Sequence, residues 1–332
     1  MYRIYKYKET YQQEWDDFVI NESVNGTFLQ TRRFLGYHPE ERFVDASYII
    51  YDEKKNNIVA VCPACEKYEE GEKIFSSHSG STYGGIVFGK RILKINKLIM
   101  LIKELEEAWK GEQYHKIILK QTPLIFSRIQ DEVMVYVLDY LSYKRYTELN
   151  MYIDLKEYSD NILSEFAQGK RTQINKCIRD GWYYGKITRK CDIERLHELL
   201  SITLEKYDKK PIHTVDELYD FQSDRLIDEC ECFGAFFEGK MVGASLMFYF
   251  RKANIAHTQY LCADPEYNTW SAMSYMYYAM IREARSKNFD KLSWGIVTED
   301  MGKYLNEGLA SSKERFGSRH SLNYTYEKEF RY

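Results

Sequence analysis

At 332 residues, with 44% hydrophobic side chains and a mean hydropathy of -0.55, the chain has the length of about two globular domains and the polarity of a fold surrounded by water. Its 47 basic and 50 acidic residues leave a net charge of -3, which excludes a protein-wide nucleic-acid field but not a local basic patch. No apolar run reaches the ~18 residues of a membrane span, residues 1–6 hold no apolar signal core, and seven cysteines are an odd number for a disulfide framework; a cytoplasmic location is expected.

Thr10 and Gln13 have capping-box spacing before Tyr11, Trp15 and Phe18, which predicts a helix over 11–21. Asn25-Gly26 turns the chain. Thr27–Gln30 is short and apolar, and Thr31-Arg32-Arg33-Phe34 opens another helix. Adjacent arginines are commonly solvated, and they also grip a phosphate or carboxylate bidentately. Ala46–Tyr51 and Ile58–Tyr68 make a hairpin about Lys54–Asn57. Cys62-Pro63-Ala64-Cys65 lies in that extended run and not at a strand-to-helix turn, so buried thiols are a plainer account than redox or zinc chemistry. Ile74–Phe88 is extended, broken at Ser79-Gly80 and Gly84-Gly85. Leu98, Ile102, Leu105 and Trp109 mark a helix with Gly111 at its C′ position, and Lys116–Lys120 is a strand.

Ile129–Leu141 reads as a helix and Met151–Leu155 as a strand, with a domain boundary between 145 and 158. This gives domains 1–150 and 151–332. Ser159 caps a short helix with Ile162 and Phe166. In the stretch 169–181, Ile174 and Ile178 share a face, Lys176 and Arg179 lie opposite, and Gly181 stops the helix. Cations in a last turn complement the macrodipole, and they also suit a phosphate-bearing substrate. A helix carries Ile193, Leu196, Leu199, Leu200, Thr203 and Tyr207. Another starts at the Thr214/Glu217 capping box.

Phe233–Phe237 and Met241–Phe250 form a hairpin about Glu238-Gly239-Lys240. In the next strand Ile255, His257, Gln259 and Leu261 alternate with Ala256, Thr258, Tyr260 and Cys262. Asp264-Pro265 ends it. A helix from about Trp270 to Lys287 has a stripe of Trp270, Met273, Tyr277, Met280, Ile281 and Ala284, and Lys291–Gly295 returns as a parallel strand. Asp300 caps a last helix holding Leu305, Leu309 and Phe316, with Gly317 at its end, and Leu322–Tyr326 is a final strand. The order hairpin, strand, helix, strand thus occurs twice, as in an internal duplication.

No GxxxxGK[ST], HExxH or GxSxG motif is present, and Gly80–Gly85 lacks the spacing of a dinucleotide loop. His78 and His257, on strands, read as satisfied half-buried side chains more readily than as bases. The thirty tyrosines suit amphipathic packing or a polar cleft.

The repeated module resembles the GNAT acyltransferase fold, and its tandem use resembles the Fem-type peptidyltransferases that build peptidoglycan cross-bridges. Thr27-Phe28-Leu29-Gln30-Thr31, the basic stretch ending in Arg179-Asp180-Gly181, Tyr260 on its strand and Lys313-Glu314-Arg315-Phe316-Gly317 carry the likeness in order. The resemblance implies an α/β (α+β) fold of two tandem GNAT-like domains, with mixed sheets flanked by helices. It implies N-acyl transfer from an activated donor, aminoacyl-tRNA or acyl-CoA or acyl carrier protein, to an amine of a small-molecule or nucleotide-linked envelope precursor, with the donor as co-substrate and no resident cofactor indicated. Lys313 would stabilise developing negative charge and Tyr260 orient the substrate. Lys176 and Arg179, with Arg32 or Arg33, would hold the acceptor's phosphate. Lys120-Gln121-Thr122 stands where such enzymes can carry an acid, the glycine-rich pyrophosphate loop is missing from 265–269, and no heptad arm is visible. Transfer to an amino-sugar for surface polysaccharide, or ligand binding without catalysis, are the alternatives.

Overall fold

The computed structural model describes residues 2–39, 41–206 and 208–331, and of residues 268–270 the backbone alone. In chain order it lays down β1 (Tyr2–Lys6), α1 (Gln12–Asp17), α2 (Arg32–Leu35), β2 (Val44–Asp45), β3 (Tyr48–Asp52), β4 (Asn57–Cys62), β5 (Ala64–Glu69), β6 (Glu72–Ser77), β7 (Val87–Phe88), α3 (Ile95–Gly111), β8 (Lys116–Lys120) and α4 (Val133–Tyr140). There follow β9 (Lys144–Asp154), α5 (Gln168–Arg179), β10 (Tyr183–Lys186), α6 (Lys190–Glu205), α7 (Val215–Asp220), β11 (Cys230–Phe237), β12 (Lys240–Phe250) and β13 (Ile255–Ala263). The last elements are α8 (Ala272–Ser286), β14 (Lys291–Ile296), β15 (Thr298–Glu299), β16 (Tyr304–Leu305), α9 (Glu307–Glu314) and β17 (Arg319–Glu329). Two compact units result: Met1–Glu148 with Asp300–Gly302 and Leu322–Tyr332, and Leu149–Glu299 with Lys303–Ser321.

In the first unit one sheet has the order β1-β3-β4-β7, and β17-β8-β6-β5-β2 adjoin one another in a second. β6 and β8 are parallel, from Ile74↔Lys116 to Ser76↔Ile118, with α3 as the crossover. Leu98, Leu101, Ile102, Leu105 and Trp109 of α3 join Phe75, Ile117, Leu119 and Tyr326 in one core. Ile58–Tyr68 is not a single strand. Pro63 has no N–H for a central ladder, and there the chain passes from β4 in one sheet to β5 in the other. Ile74–Phe88 is likewise interrupted: β6 stops at Ser77, so His78 lies in a loop, and β7 holds only Val87–Phe88. The helix expected over 11–21 is α1 followed by a π-turn, and no side chain caps its start. The capping box forms instead at Thr27 and Gln30, where Thr27 N–H donates to Gln30 Oε1 at 2.8 Å. Gly111 ends α3 from within, and the left-handed residue beyond it is Gln113, at φ 62.

In the second unit the strand order is β10-β11-β12-β13-β14-β9. Glu238 and Gly239, both at positive φ, close the β11–β12 hairpin, as a two-residue turn between right-twisted strands requires. β13 and β14 are parallel, with α8 as the crossover. Met273, Tyr277, Met280, Ile281 and Ala284 pack into the unit's core as the helical spacing implies; the side chains of Trp270 and Tyr207 lie outside the described residues. The last helix is capped by Asn306, whose side chain accepts from Leu309 N at 3.0 Å, and not by Asp300. Leu305 precedes that helix and is exposed. The turn after Ser159 is a short 3-10 segment, Ile162–Glu165, led by Asn161.

Candidate active site

β13 does not keep its alternation. Met247 pairs with Thr258, and the next residue, Leu246, pairs with Tyr260, so Gln259 is an extra residue bulged out of the ladder. The slip moves every later side chain to the other face. Tyr260 and Cys262 therefore share the face of His257, while Leu261 joins Ala256 and Thr258. The sequence alternation placed Tyr260 opposite His257, and the bulge reverses that.

On its other edge β13 pairs with β14 only from Ile255↔Lys291 to His257↔Ser293. Beyond His257 both strands continue, to Ala263 and Ile296, with no further pair between them among the described residues. A parallel pair that separates in this way exposes main-chain donors and acceptors to whatever enters the split.

Polar side chains gather at this split. Lys313 of α9, 3% exposed, donates to Trp294 O at 2.8 Å and Gly295 O at 3.4 Å, holding the carbonyls of β14 where it leaves β13. Burial lowers its pKa to about 8. His257 Nδ1 lies 3.2 Å from Ser293 Oγ, which donates to Asn150 Oδ1 at 3.3 Å, so the imidazole is the donor to the serine. Burial, and then the Lys313 charge, lower the His257 pKa to about 4 and keep it neutral. Tyr260 Oη is 2.6 Å from Nδ1 of His213, in the loop between α6 and α7, and the His213 ring meets Phe221 edge-on. Burial raises the Tyr260 pKa, an effect partly offset by the neighbouring Gln259 amide.

The remaining candidates are placed as follows. Lys176 and Arg179 stand in the exposed last turn of α5, which Gly181, at φ +80, terminates. Ile174 is buried there with Cys177, whereas Ile178 is 43% exposed and does not share the buried face. At the other end of α5, about 13 Å away along the axis at 1.5 Å per residue, Lys170 donates to Ser274 Oγ at 3.1 Å in the first turn of α8 and lies over the Phe316 ring. That α8 turn begins at Ser271, in the left-handed region, without a side-chain cap. Arg32 and Arg33 belong to the first unit. Arg32 is buried between the Tyr7 and Trp15 rings, 3.4 and 4.2 Å from their centroids, and pairs with Asp45. The N–H groups of Arg32 and Arg33 both bind the Asp16 carboxylate. Cys62 and Cys65 sit in different sheets, and burial pushes both thiols up, Cys65 to about 11.

In the first unit the corresponding parallel pair, β6 and β8, opens no such space. Gly84 N donates to Lys120 O at 3.0 Å, Gly85 N and Lys120 N both donate to Ser77 Oγ, and Ile86 N donates to Gln121 Oε1. The segment 84–86 thus lies along the end of β8 and fills the position that is open in the second unit. Gly85 is required there. Its φ is +69, and a Cβ would stand 2.9 Å from Gln121 Cα. Gln30 anchors the same loop through Gly84 O and Thr122 Oγ1, which gives a structural reason for the glutamine ending the N-terminal motif. His213, Gln259 and Lys170 were not found from sequence. A bulge and a loop-to-strand contact leave no periodic signal.

Compared with protein families, the chain matches no family model, and it matches no curated protein. Among solved structures it is similar to FemX, with a TM-score of 0.69 and 13% identity over 99% of this chain and 97% of that one. It is also similar to L-PGS from Bacillus licheniformis, with a TM-score of 0.61 and 11% identity over 95% and 90%. A tandem GNAT protein from the clavulanic acid biosynthesis pathway matches with a TM-score of 0.58 and 8% identity over 99% and 98%. The likeness runs through nearly the whole of each chain: this protein has a Fem-like tandem GNAT fold.

Proposed function

We propose that the chain is an N-acyltransferase and that its second unit carries the reaction. The observation on which this rests is the β13–β14 split, with the Gln259 bulge on one strand and Lys313 buried against the other. An acyl carbonyl entering the split would meet main-chain N–H groups already fixed in place, and preorganised donors stabilise a developing oxyanion by several kcal/mol. When protonated, Lys313 adds a positive charge at the same place. The closed first unit then serves as a scaffold.

The donor is an aminoacyl ester of tRNA, and the acceptor is an amine on a cell-envelope precursor made in the cytoplasm. Lys176 and Arg179 are the groups of the second unit proposed to meet the precursor's phosphate. Arg32 is committed to Asp45 and the two rings around it. A second reading has its own observation. The uncapped start of α8, with Lys170 bound to Ser274, suits a phosphate, which favours acyl-CoA as donor and an amino-sugar as acceptor.

Alanyl-tRNA and acetyl-CoA incubated in parallel with a panel of amine acceptors, with products read by mass shift, test both. Transfer from tRNA alone supports the first reading and transfer from acetyl-CoA alone the second. Transfer from neither, by a folded chain, overturns the enzyme assignment. Lys313→Ala should lower kcat at least 100-fold, and unchanged turnover would remove the split from consideration.

A further inference from the structure

N-acyl transfer requires a group to take the proton that the attacking amine gives up. His257 lies on β13, and His213, from the loop between α6 and α7, meets Tyr260 on the same face of that strand; their surroundings differ. The Nδ1 proton of His257 is committed to Ser293, and its neighbouring charge is the Lys313 cation, which opposes formation of an imidazolium. His213 instead faces a phenol. Tyr260 Oη lies 2.6 Å from its Nδ1. The Gln259 amide beside Tyr260 partly offsets the effect of burial on the phenol. A phenol at this distance donates its hydrogen to an Nδ1 that carries none. Tyr260 is half-buried, on the part of β13 that has left β14.

We propose that Tyr260 and His213 form the proton relay of the second unit, with Tyr260 as the catalytic residue and His213 acting through it. The inference rests on the transfer reading above. As the new C–N bond forms, an amine proton passes to Tyr260 Oη and the phenolic proton passes to His213 Nδ1. The C–O bond of an ester donor, or the C–S bond of a thioester, then breaks with its electron pair going to the departing oxygen or sulfur. That atom takes up the proton returned from His213 through Tyr260, so that both side chains end as they began.

The discriminating variant is His213→Asn in the full chain, since an amide oxygen can accept the Tyr260 hydrogen bond but cannot carry the proton. With alanyl-tRNA and acetyl-CoA as donors, KM should stay within about twofold of wild type while kcat falls about 100-fold. An unchanged kcat overturns the inference, and so does a change confined to KM. Independently of turnover, the imidazole 15N shifts of His213 in the wild-type chain should show Nδ1 as the unprotonated nitrogen, and Tyr260→Phe should move that resonance. The opposite tautomer overturns the relay. A wild-type chain that transfers neither group overturns the transfer reading and this one together, whereas an active chain indifferent to His213→Asn overturns this one alone.

Discussion

Lys313 couples the site to folding through its proton. The unfolded chain holds that proton up to the ordinary lysine value of 10.5, and the folded chain releases it near 8. Between those values the unfolded state binds more protons, so stability rises with pH; below about 8 both states are protonated and the fold bears the full cost of a buried charge. A shift of this size corresponds to about 3 kcal/mol. Urea unfolding of wild type and Lys313→Met, in steps from pH 7 to 10.5, should show wild type gaining on the variant by roughly that amount. Parallel curves would mean that the folded amine keeps its ordinary pKa and is not desolvated. Lys313 itself was readable from the short motif around it. Its partners were not, because they are the carbonyls of Trp294 and Gly295, and main-chain acceptors carry no residue signature. His213 was one histidine of seven, with nothing in its spacing to set it apart. Arg32 illustrates the reverse problem. A pair of arginines reads as an anion grip, yet stacking on Tyr7 and Trp15 engages one of them inside the fold.

At the level of elements, two glycines make opposite predictions. Gly85→Ala places a Cβ against Gln121 at a left-handed φ, and such strain costs about 1–3 kcal/mol. Gly111 lies within the last turn of α3 with nothing within 4 Å of its missing Cβ, so Gly111→Ala should stabilise by about 0.5–1 kcal/mol. Urea midpoints of the two variants should move in opposite directions, and a common direction would contradict the register of the 84–86 loop or the end of α3. The crossover helices α3 and α8 were legible because a buried stripe repeats at 3.6 residues. The β11–β12 hairpin was legible because its turn demands glycine. The change of sheet at Pro63 and the bulge at Gln259 were not. Each depends on which strand lies alongside, and a sequence window contains only one of the two partners. The bulge also shows how a single added residue decides whether Tyr260 and His257 act on one face or on two.

For the molecule as a whole, neither unit is a continuous run of sequence. β17 pairs with β8 from Thr325↔Lys120 to Glu329↔Lys116, Tyr326 is fully buried in the first core, and Lys328 binds Glu106 and Leu141 O. A chain ending at Ser321 should therefore lose amide protection in β6, β8 and α3 while keeping it in β12, β13 and α8, as read by hydrogen exchange with mass spectrometry. Retained protection in α3 would show that the first core stands without its last strand. The repeated module was visible in sequence as an order of elements, but the strand that completes the first copy lies more than 170 residues beyond it, where local pattern gives no indication of its partner. The same arrangement fixes an order of events during translation. The half that leaves the ribosome first must wait, its sheet one strand short and its apolar interior incomplete, until β17 has been made, whereas the later half has all its strands slightly sooner. During synthesis it is the earlier-made half whose apolar interior stays open the longer.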